Sequence, residues 1–487
     1  MHSDDQAFPF IARQKELAAL QAAYDSTRSA FLPIYGRRRV GKSELILQFG
    51  KNRPTLYLVG KRAPAAQMMR EFLEGAAVFL EEPLLASMPV ENWKKTIEAV
   101  VRRWQRRQKL ILVFDEFQWL VEKSPELPSV LQELWDRTWS KSGRMFLILC
   151  GSYIGFMERE VLGKNSPLYG RRTGQIFLKP FGYGDAALFH PHASVVQKAA
   201  TYFICGGIPL YLRYFEPRRS VLQNIGHAVL GEQAPLYREA DFLLREELRE
   251  VEKYYMILMA LAGGSLASRD IARRAGIGER SLHYYLDQLG SLGYLDKHFP
   301  LTSQRPKARD VRYRLLDPFL RFWFRFIYPH TSLIAQDGAH RAVTQLIQPE
   351  LEAYCGLCYE SLCREALPFV YERENVSALY EVGSYWDSQV QIDVVGLRRD
   401  GWIDLGECKW GAVKSLASTA AELEAKIRHY PNAQGATIGR RLFVRSFRAG
   451  RKDQPEGLCV HTLEELYRLT GVSPPGDLRD GRQEARD

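Results

Sequence analysis

The sequence predicts an α/β protein of several packed units: a parallel-sheet unit at its N-terminal end, a helical and basic middle, and a smaller α/β unit towards its C-terminus. Three observations carry that expectation. The apolar run Phe31–Tyr35 leads through a glycine-bounded loop into a helix start at Glu44. Two further apolar runs, Lys109–Phe114 and Met145–Cys150, have the length and bounds of buried strands. Val390–Val395 and Trp402–Trp410 alternate about a turn at Arg399–Gly401.

At 487 residues the chain is several times a usual domain of roughly 100–200 residues, so three or four cores are expected. No apolar run reaches the roughly 18 residues of a membrane span. Met1–Phe10 opens with Asp4 and Asp5 rather than a basic start and an apolar stretch, so a cytoplasmic location is expected. Seven unevenly spread cysteines do not form a disulfide framework. Cys355, Cys358 and Cys363 cluster; they read as small buried thiols on one helix, or as a metal site if Cys408 supplies a fourth ligand. The net charge is +10, and residues 266–330 hold twelve Lys and Arg against six Asp and Glu. That excess is the footprint of a polyanion-binding surface, or of a solvated basic face.

Gly36-Arg37-Arg38-Arg39-Val40-Gly41-Lys42-Ser43, between strand and helix, has the order and spacing of a phosphate-binding loop. The glycines let backbone N–H groups wrap phosphates. Lys42 reaches the β- and γ-phosphates of ATP, and Ser43 is a ligand for Mg²⁺. The strand Lys109–Phe114 ends on Asp115 and Glu116: Asp115 is expected to hold the Mg²⁺ shell and Glu116 to polarise the attacking water. Ser152, at the carboxyl end of Met145–Cys150, is placed to sense the γ-phosphate. Arg171 and Arg172, before a strand Gln175–Leu178, are candidate arginine fingers, and one acting in trans would imply a homo-oligomer.

Together these features resemble the archaeal-type branch of the AAA+ ATPases. The resemblance begins at Phe10-Ile-Ala-Arg-Gln-Lys-Glu-Leu17. It takes in the P-loop, the Asp-Glu strand, Gly151-Ser152, Ser166–Arg171 and Gly206–Tyr211. It implies an ATPase core with a helical lid.

Tyr254–Leu295 reads as a helix-turn-helix. Leu282, Tyr285, Leu286 and Leu289 recur at i, i+3, i+4 and i+7 as a core stripe, leaving Arg280, Ser281, His283 and Tyr284 outward as a recognition helix would. Two strands, Gly293–Phe299 and Val311–Leu316, joined by the basic loop Gln304–Arg309, complete a winged helix whose Arg305 and Lys307 are expected on DNA phosphates. Winged helices also serve as protein-binding or structural modules. The aromatic and arginine-rich run that follows, to Phe326, is expected to pack aromatics between domains with its arginines facing water or acidic partners.

Near the C-terminus, two-residue periodicity puts Glu407 and Lys409 on one face of a strand, with Asp393 across a hairpin. Asp393 and Glu407 are expected to hold Mg²⁺, and Lys409 to orient a water. Here the chain is similar to the PD-(D/E)XK nuclease superfamily, and Gly356–Glu360 resembles its upstream element, with Tyr359 in place of Phe. The whole arrangement looks like ATP-binding proteins that carry the domain of unknown function DUF234.

The expected organisation is an ATPase core over 1–185, a helical lid over 186–245, a winged helix over 246–330 and a restriction-endonuclease-like α/β domain over 331–475. A disordered tail is expected over 476–487. The expected function is a Mg²⁺-dependent ATPase coupled to DNA binding or processing, with metal-dependent cleavage if Asp393, Glu407 and Lys409 form a live site. The alternative is an ATP-dependent switch that binds DNA or a protein without cutting.

Overall fold

The computed structural model describes residues 10–304, 308–413, 415–447 and 454–471. Arg305 and Lys307, and the tail expected over 476–487, lie outside the described residues. The chain divides into two compact units, 1–180 and 181–487.

The first unit is a parallel α/β sheet. Its strands are β1 Ala30–Tyr35, β2 Thr55–Val59, β3 Leu110–Asp115, β4 Met145–Gly151 and β5 Ile176–Phe177, in the order β2-β3-β4-β1-β5. All four pairings are parallel. β1, β3 and β4 are buried along their whole length, as continuous apolar runs require when helices cover both faces. β2, a strand the sequence reading did not find, lies at the edge, where alternate residues stay half-exposed and no apolar run forms. Phe72, Trp93 and Phe114 pack edge-on and stacked at the centre of this unit's core.

The second unit begins with helices. Val195–Cys205 carries a capping box from Ser194 and Gln197, and Val251–Leu261, Ser268–Ala275 and Glu279–Ser291 follow. β6 Leu295–His298 and β7 Arg312–Leu315 pair antiparallel, shorter than the expected strands but within them. Phe319, Phe322, Trp323, Phe324 and Phe326 are all buried. Arg314 and Arg325 meet acidic partners, Asp296 at 2.7 Å and Glu350 at 3.2 Å, whereas Arg321 departs from the expectation and donates to the Leu315 carbonyl and Cys358 Sγ.

The long helix Leu351–Arg373 packs on a second sheet. That sheet comprises β8 Tyr380–Trp386, β9 Gln391–Arg398, β10 Trp402–Lys409, β11 Thr437–Val444 and β12 Leu458–Thr462, in the order β12-β11-β10-β9-β8. It is mixed: β8-β9 and β9-β10 pair antiparallel, whereas β10-β11 and β11-β12 are parallel. The helix Leu416–Ile427 covers it through Leu416 and Leu423, which pack on Leu442, Val444 and Leu458. Among the described residues, no helix is long and apolar enough to cross a membrane.

Candidate functional site

The β1 strand delivers the chain to Gly36 and the helix Lys42–Gly50 takes it away. Between them Arg39 and Gly41 adopt left-handed backbone angles, φ 66° and 90°, which bend the loop back on itself. A Cβ on Gly36 would lie 2.2 Å from the Leu178 carbonyl oxygen, so this position admits no side chain. Arg13, from the opening segment of the resemblance, donates to the Val40 carbonyl at 3.1 Å and to the Lys179 carbonyl at 2.8 Å, tying the loop to the segment that follows β5. Lys42 is buried, and its Nζ donates to the carbonyls of Gly36 at 2.9 Å and Arg37 at 2.8 Å. Burial pushes its pKa below the ordinary lysine value, against the pull of Cys150, Glu116 and Asp115.

The parallel register Tyr35↔Gly151 brings the end of β4 beside the start of the loop. Ser43 Oγ donates to Asp115 Oδ2 at 2.6 Å, and Tyr57 donates to the same oxygen. The Glu116 N–H donates to Asp115 Oδ1 at 2.8 Å. Glu116 itself is left-handed at φ 48°, a conformation costing a non-glycine residue of order 1–3 kcal/mol. Its carboxylate accepts from Ser152 Oγ at 2.8 Å and from Gln118, whose amide also lies 3.3 Å from Ser152 Oγ. Ser43, Asp115, Glu116, Gln118 and Ser152 thus form one hydrogen-bonded constellation, with the Lys42 ammonium close enough to feel both carboxylates. Tyr57 and Gln118 were missed in the sequence: Tyr57 sits on the unrecognised edge strand, while Gln118, two residues past Glu116, was readable as a helix-start amide. The hydroxyl and carboxylate of Ser43 and Asp115 are hard oxygen donors, the chemistry Mg²⁺ takes.

Arg171 is held within its own unit. Its Nε and Nη2 reach Asp136 at 2.9 and 2.7 Å, and its Nη1 donates to the carbonyls of Pro167 and Tyr169. Arg172 is exposed.

In the second unit, the stripe Leu282, Tyr285, Leu286 and Leu289 is buried on the helix Glu279–Ser291, and Arg280, Ser281, His283 and Tyr284 are exposed. Tyr284 is 62% exposed, an unusual position for an aromatic ring.

The hairpin of β9 and β10 turns at Gly401, φ 85°. Asp393 and Glu407 are buried, and Asp393 Oδ2 accepts the Cys408 N–H at 3.1 Å. Burial raises the Asp393 pKa, and the nearby Glu407 charge raises it further. Glu360, on the long helix, is pushed up to about 7 by burial and by Asp393 and Glu407, so three carboxyls from three elements converge. Their counter-charges are built in. Lys409 Nζ lies 3.2 Å from Glu407 Oε1 and 3.1 Å from Glu422, Lys426 Nζ lies 2.6 Å from Glu407 Oε2, and Arg364 lies 3.6 Å from Glu360. Both oxygens of Glu407 are therefore engaged by lysines. Among the described residues, no three His, Cys, Asp or Glu are grouped so as to hold a metal ion. Lys426 escaped the sequence reading; its i, i+4 spacing from Glu422 on one helix face was the available signal. Cys355, Cys358 and Cys363 are buried free thiols on the long helix, and burial raises the pKa of Cys355 and Cys358.

Residues 10–215 match the model of an ATPase domain predominantly from Archaea, and residues 323–421 match DUF234, archaeal and bacterial proteins of unknown function. The chain joins an archaeal-type ATPase domain to a DUF234 domain. Its ATPase domain holds the whole constellation from Gly36 to Ser152, and its DUF234 match holds Glu360, Asp393, Glu407 and Lys409. An uncharacterized protein of Methanocaldococcus jannaschii, MJECL04, is 28% identical over 410 residues, covering 83% of this chain and 88% of that protein. Two solved structures are also similar to this chain. The Walker-type ATPase PABY2304 of Pyrococcus abyssi has TM-score 0.48 and 18% identity, with 65% of this chain and 96% of that one covered. The ORC2 protein of Aeropyrum pernix in its ADPNP-ADP complexes has TM-score 0.41 and 16% identity, with 70% and 96% covered.

Proposed function

We propose that this chain is a Mg²⁺-dependent ATPase that uses nucleotide turnover to control a DNA-handling second unit. The single observation that carries the reading is the connected network Ser43–Asp115–Glu116–Ser152 beside the Lys42 loop. Loop N–H groups from Gly36 to Ser43 take the phosphates, and Lys42 exchanges its two loop carbonyls for β- and γ-phosphate oxygens. Ser43 and Asp115 hold Mg²⁺, which supplies charge neutralisation on the phosphates. Glu116 accepts a hydrogen bond from the attacking water, and Ser152, which donates to Glu116, registers whether a γ-phosphate is present. Arg171 acts as a finger only after leaving Asp136.

DNA contact is assigned to the exposed face of the helix Glu279–Ser291, through Arg280, His283 and Tyr284, in a winged-helix arrangement with β6 and β7. Arg305 and Lys307 would extend that contact to phosphates. Beyond it, a PD-(D/E)XK-like site of Asp393, Glu407 and Lys409 would cut or grip the strand. A second reading, a nucleotide-dependent switch that binds DNA or a partner without cutting, is favoured by the two lysines already seated on Glu407.

The two readings separate on plasmid and linear DNA incubated with ATP and Mg²⁺ or Mn²⁺. Cleavage by wild type that disappears in Asp393→Ala and Lys409→Ala supports the nuclease. Cleavage that survives Asp393→Ala sinks the assignment of that residue. Absence of cutting, with DNA affinity altered in Lys42→Ala, supports the switch.

A further inference from the structure

The basic excess of residues 266–330 does not all face outward. Arg269, Arg273, Arg274, Arg280, Lys297 and Arg309 are exposed, whereas Arg314 and Arg321 turn into a cavity of about 500 Å³ within the second unit. Arg364, from the long helix, lines the same cavity, as does His298 from β6. Its other wall is apolar and aromatic, with Phe203 and Phe299.

We infer that this cavity is a ligand site for a phosphate-bearing organic anion of mononucleotide size, distinct from the P-loop. The charge arrangement is the first ground. Arg321 is held by neutral acceptors, the Leu315 carbonyl and Cys358 Sγ, and Arg364 by the Asp393 carbonyl at 2.6 Å and Ser361 Oγ at 3.1 Å.

The acids lining the cavity are committed elsewhere or already paired. Asp296 is taken by Arg314 at 2.7 Å. Glu365 accepts from the Tyr183 N–H and the Tyr202 hydroxyl, and Glu381 lies 3.6 Å from Arg399. Glu360, which does not line the cavity, lies 3.6 Å from Arg364.

The second ground is unsatisfied donor capacity. Arg364 Nε and His298 Nδ1 are buried without a hydrogen-bond partner among the described residues. Buried polar groups are ordinarily paired, and an anionic oxygen in the cavity would reach Arg364 Nε once that side chain turns towards it, since the atom has no exposed surface in this structure. Burial, and then the neighbouring Arg364 charge, pushes the Arg314 pKa down, which an anion between the two guanidinia would reverse. The volume suits a nucleotide-sized ligand, and the wall pairing apolar surface with a few convergent cations suits an organic body with a phosphate.

The test uses full-length Lys42→Ala protein, in which the P-loop is disabled, with AMP and inorganic pyrophosphate as probes in isothermal titration calorimetry. One AMP per chain is expected, with at least tenfold weaker binding in Arg364→Gln. The same loss is expected in Leu316→Trp, which narrows the cavity at a residue 43% exposed on its rim. If circular dichroism shows that Arg364→Gln does not fold, Leu316→Trp decides alone. The inference is overturned if AMP gives no heat, if Leu316→Trp binds it as well as the parent, if pyrophosphate alone binds, or if a 20-base-pair duplex displaces AMP.

Discussion

At the scale of single residues, the Asp115–Glu116 pair shows how a strand end becomes chemistry. Asp115 keeps both oxygens occupied, by Ser43 and Tyr57 on one and the Glu116 N–H on the other, while Glu116, left-handed at φ 48°, presents its carboxylate to Ser152. Ser152→Ala should lower ATP turnover by about tenfold while leaving ATP affinity within a few-fold, since one hydrogen bond to a charged group contributes about 1.5–3 kcal/mol; a malachite-green assay beside nucleotide titration reads both. Glu360 offers a pH test. Its folded pKa, about 7, lies above the ordinary 4.5 of a glutamate. The folded state therefore binds the extra proton, and the stability this gives is full below pH 4.5 and lost as pH rises through 7. Urea denaturation at pH 5 and pH 8 should show wild type losing roughly 2–3 kcal/mol relative to Glu360→Gln across that interval. Parallel pH curves for the two proteins would contradict the convergence of three carboxyls.

Among the elements, the phosphate-binding loop is wedged rather than merely flexible. Gly36→Ala would drive a methyl group into the Leu178 carbonyl, 2.2 Å away, and should cost about 1–3 kcal/mol of stability, read by thermal unfolding, together with ATP affinity. The strands β1, β3 and β4 and the stripe of the helix Glu279–Ser291 were legible because burial on a fixed period leaves an apolar signature. What was not legible shares a different cause. β11 carries Arg440-Arg441 in mid-strand, which breaks any apolar pattern. Arg441 is nonetheless buried, because Asp404 at 2.7 Å and Glu374 at 2.7 Å supply its counter-charges from β10 and from beyond the long helix. Such pairing is tertiary information that no local window contains. Arg441→Ala should cost about 3 kcal/mol by removing the nearest counter-charge of buried Asp404, which would keep the Tyr371 hydroxyl at 2.6 Å and Arg398 at 3.7 Å, measurable as a lowered urea midpoint.

For the whole molecule, net charge proved a coarser guide than its placement. The +10 total pointed to a polyanion, yet the structure sorts the basic window into an exposed set around the helices Ser268–Ala275 and Glu279–Ser291 and an interior pair facing a cavity. DNA binding by the exposed set predicts a steep fall of affinity with salt. Replacing Arg273, Arg274 and Arg280 by alanine should flatten the log–log slope by about one unit per arginine that touches a phosphate. Fluorescence anisotropy across a salt series checks this. The juxtapositions were legible where spacing encodes them: Ser43 beside Asp115 at the loop, and Asp393 across the hairpin from Glu407 and Cys408. Tyr57 beside Asp115 and the Asp136 clasp on Arg171 became visible only once distant elements were brought together.

In the proposed function Glu116 is the residue whose loss would abolish turnover without abolishing nucleotide binding. The most direct measurement is Mg²⁺-ATP turnover by the full chain beside equilibrium ATP binding, for wild type and Glu116→Gln. The expected result is at least a hundredfold loss of turnover with ATP affinity retained, and wild-type turnover in Glu116→Gln would contradict it.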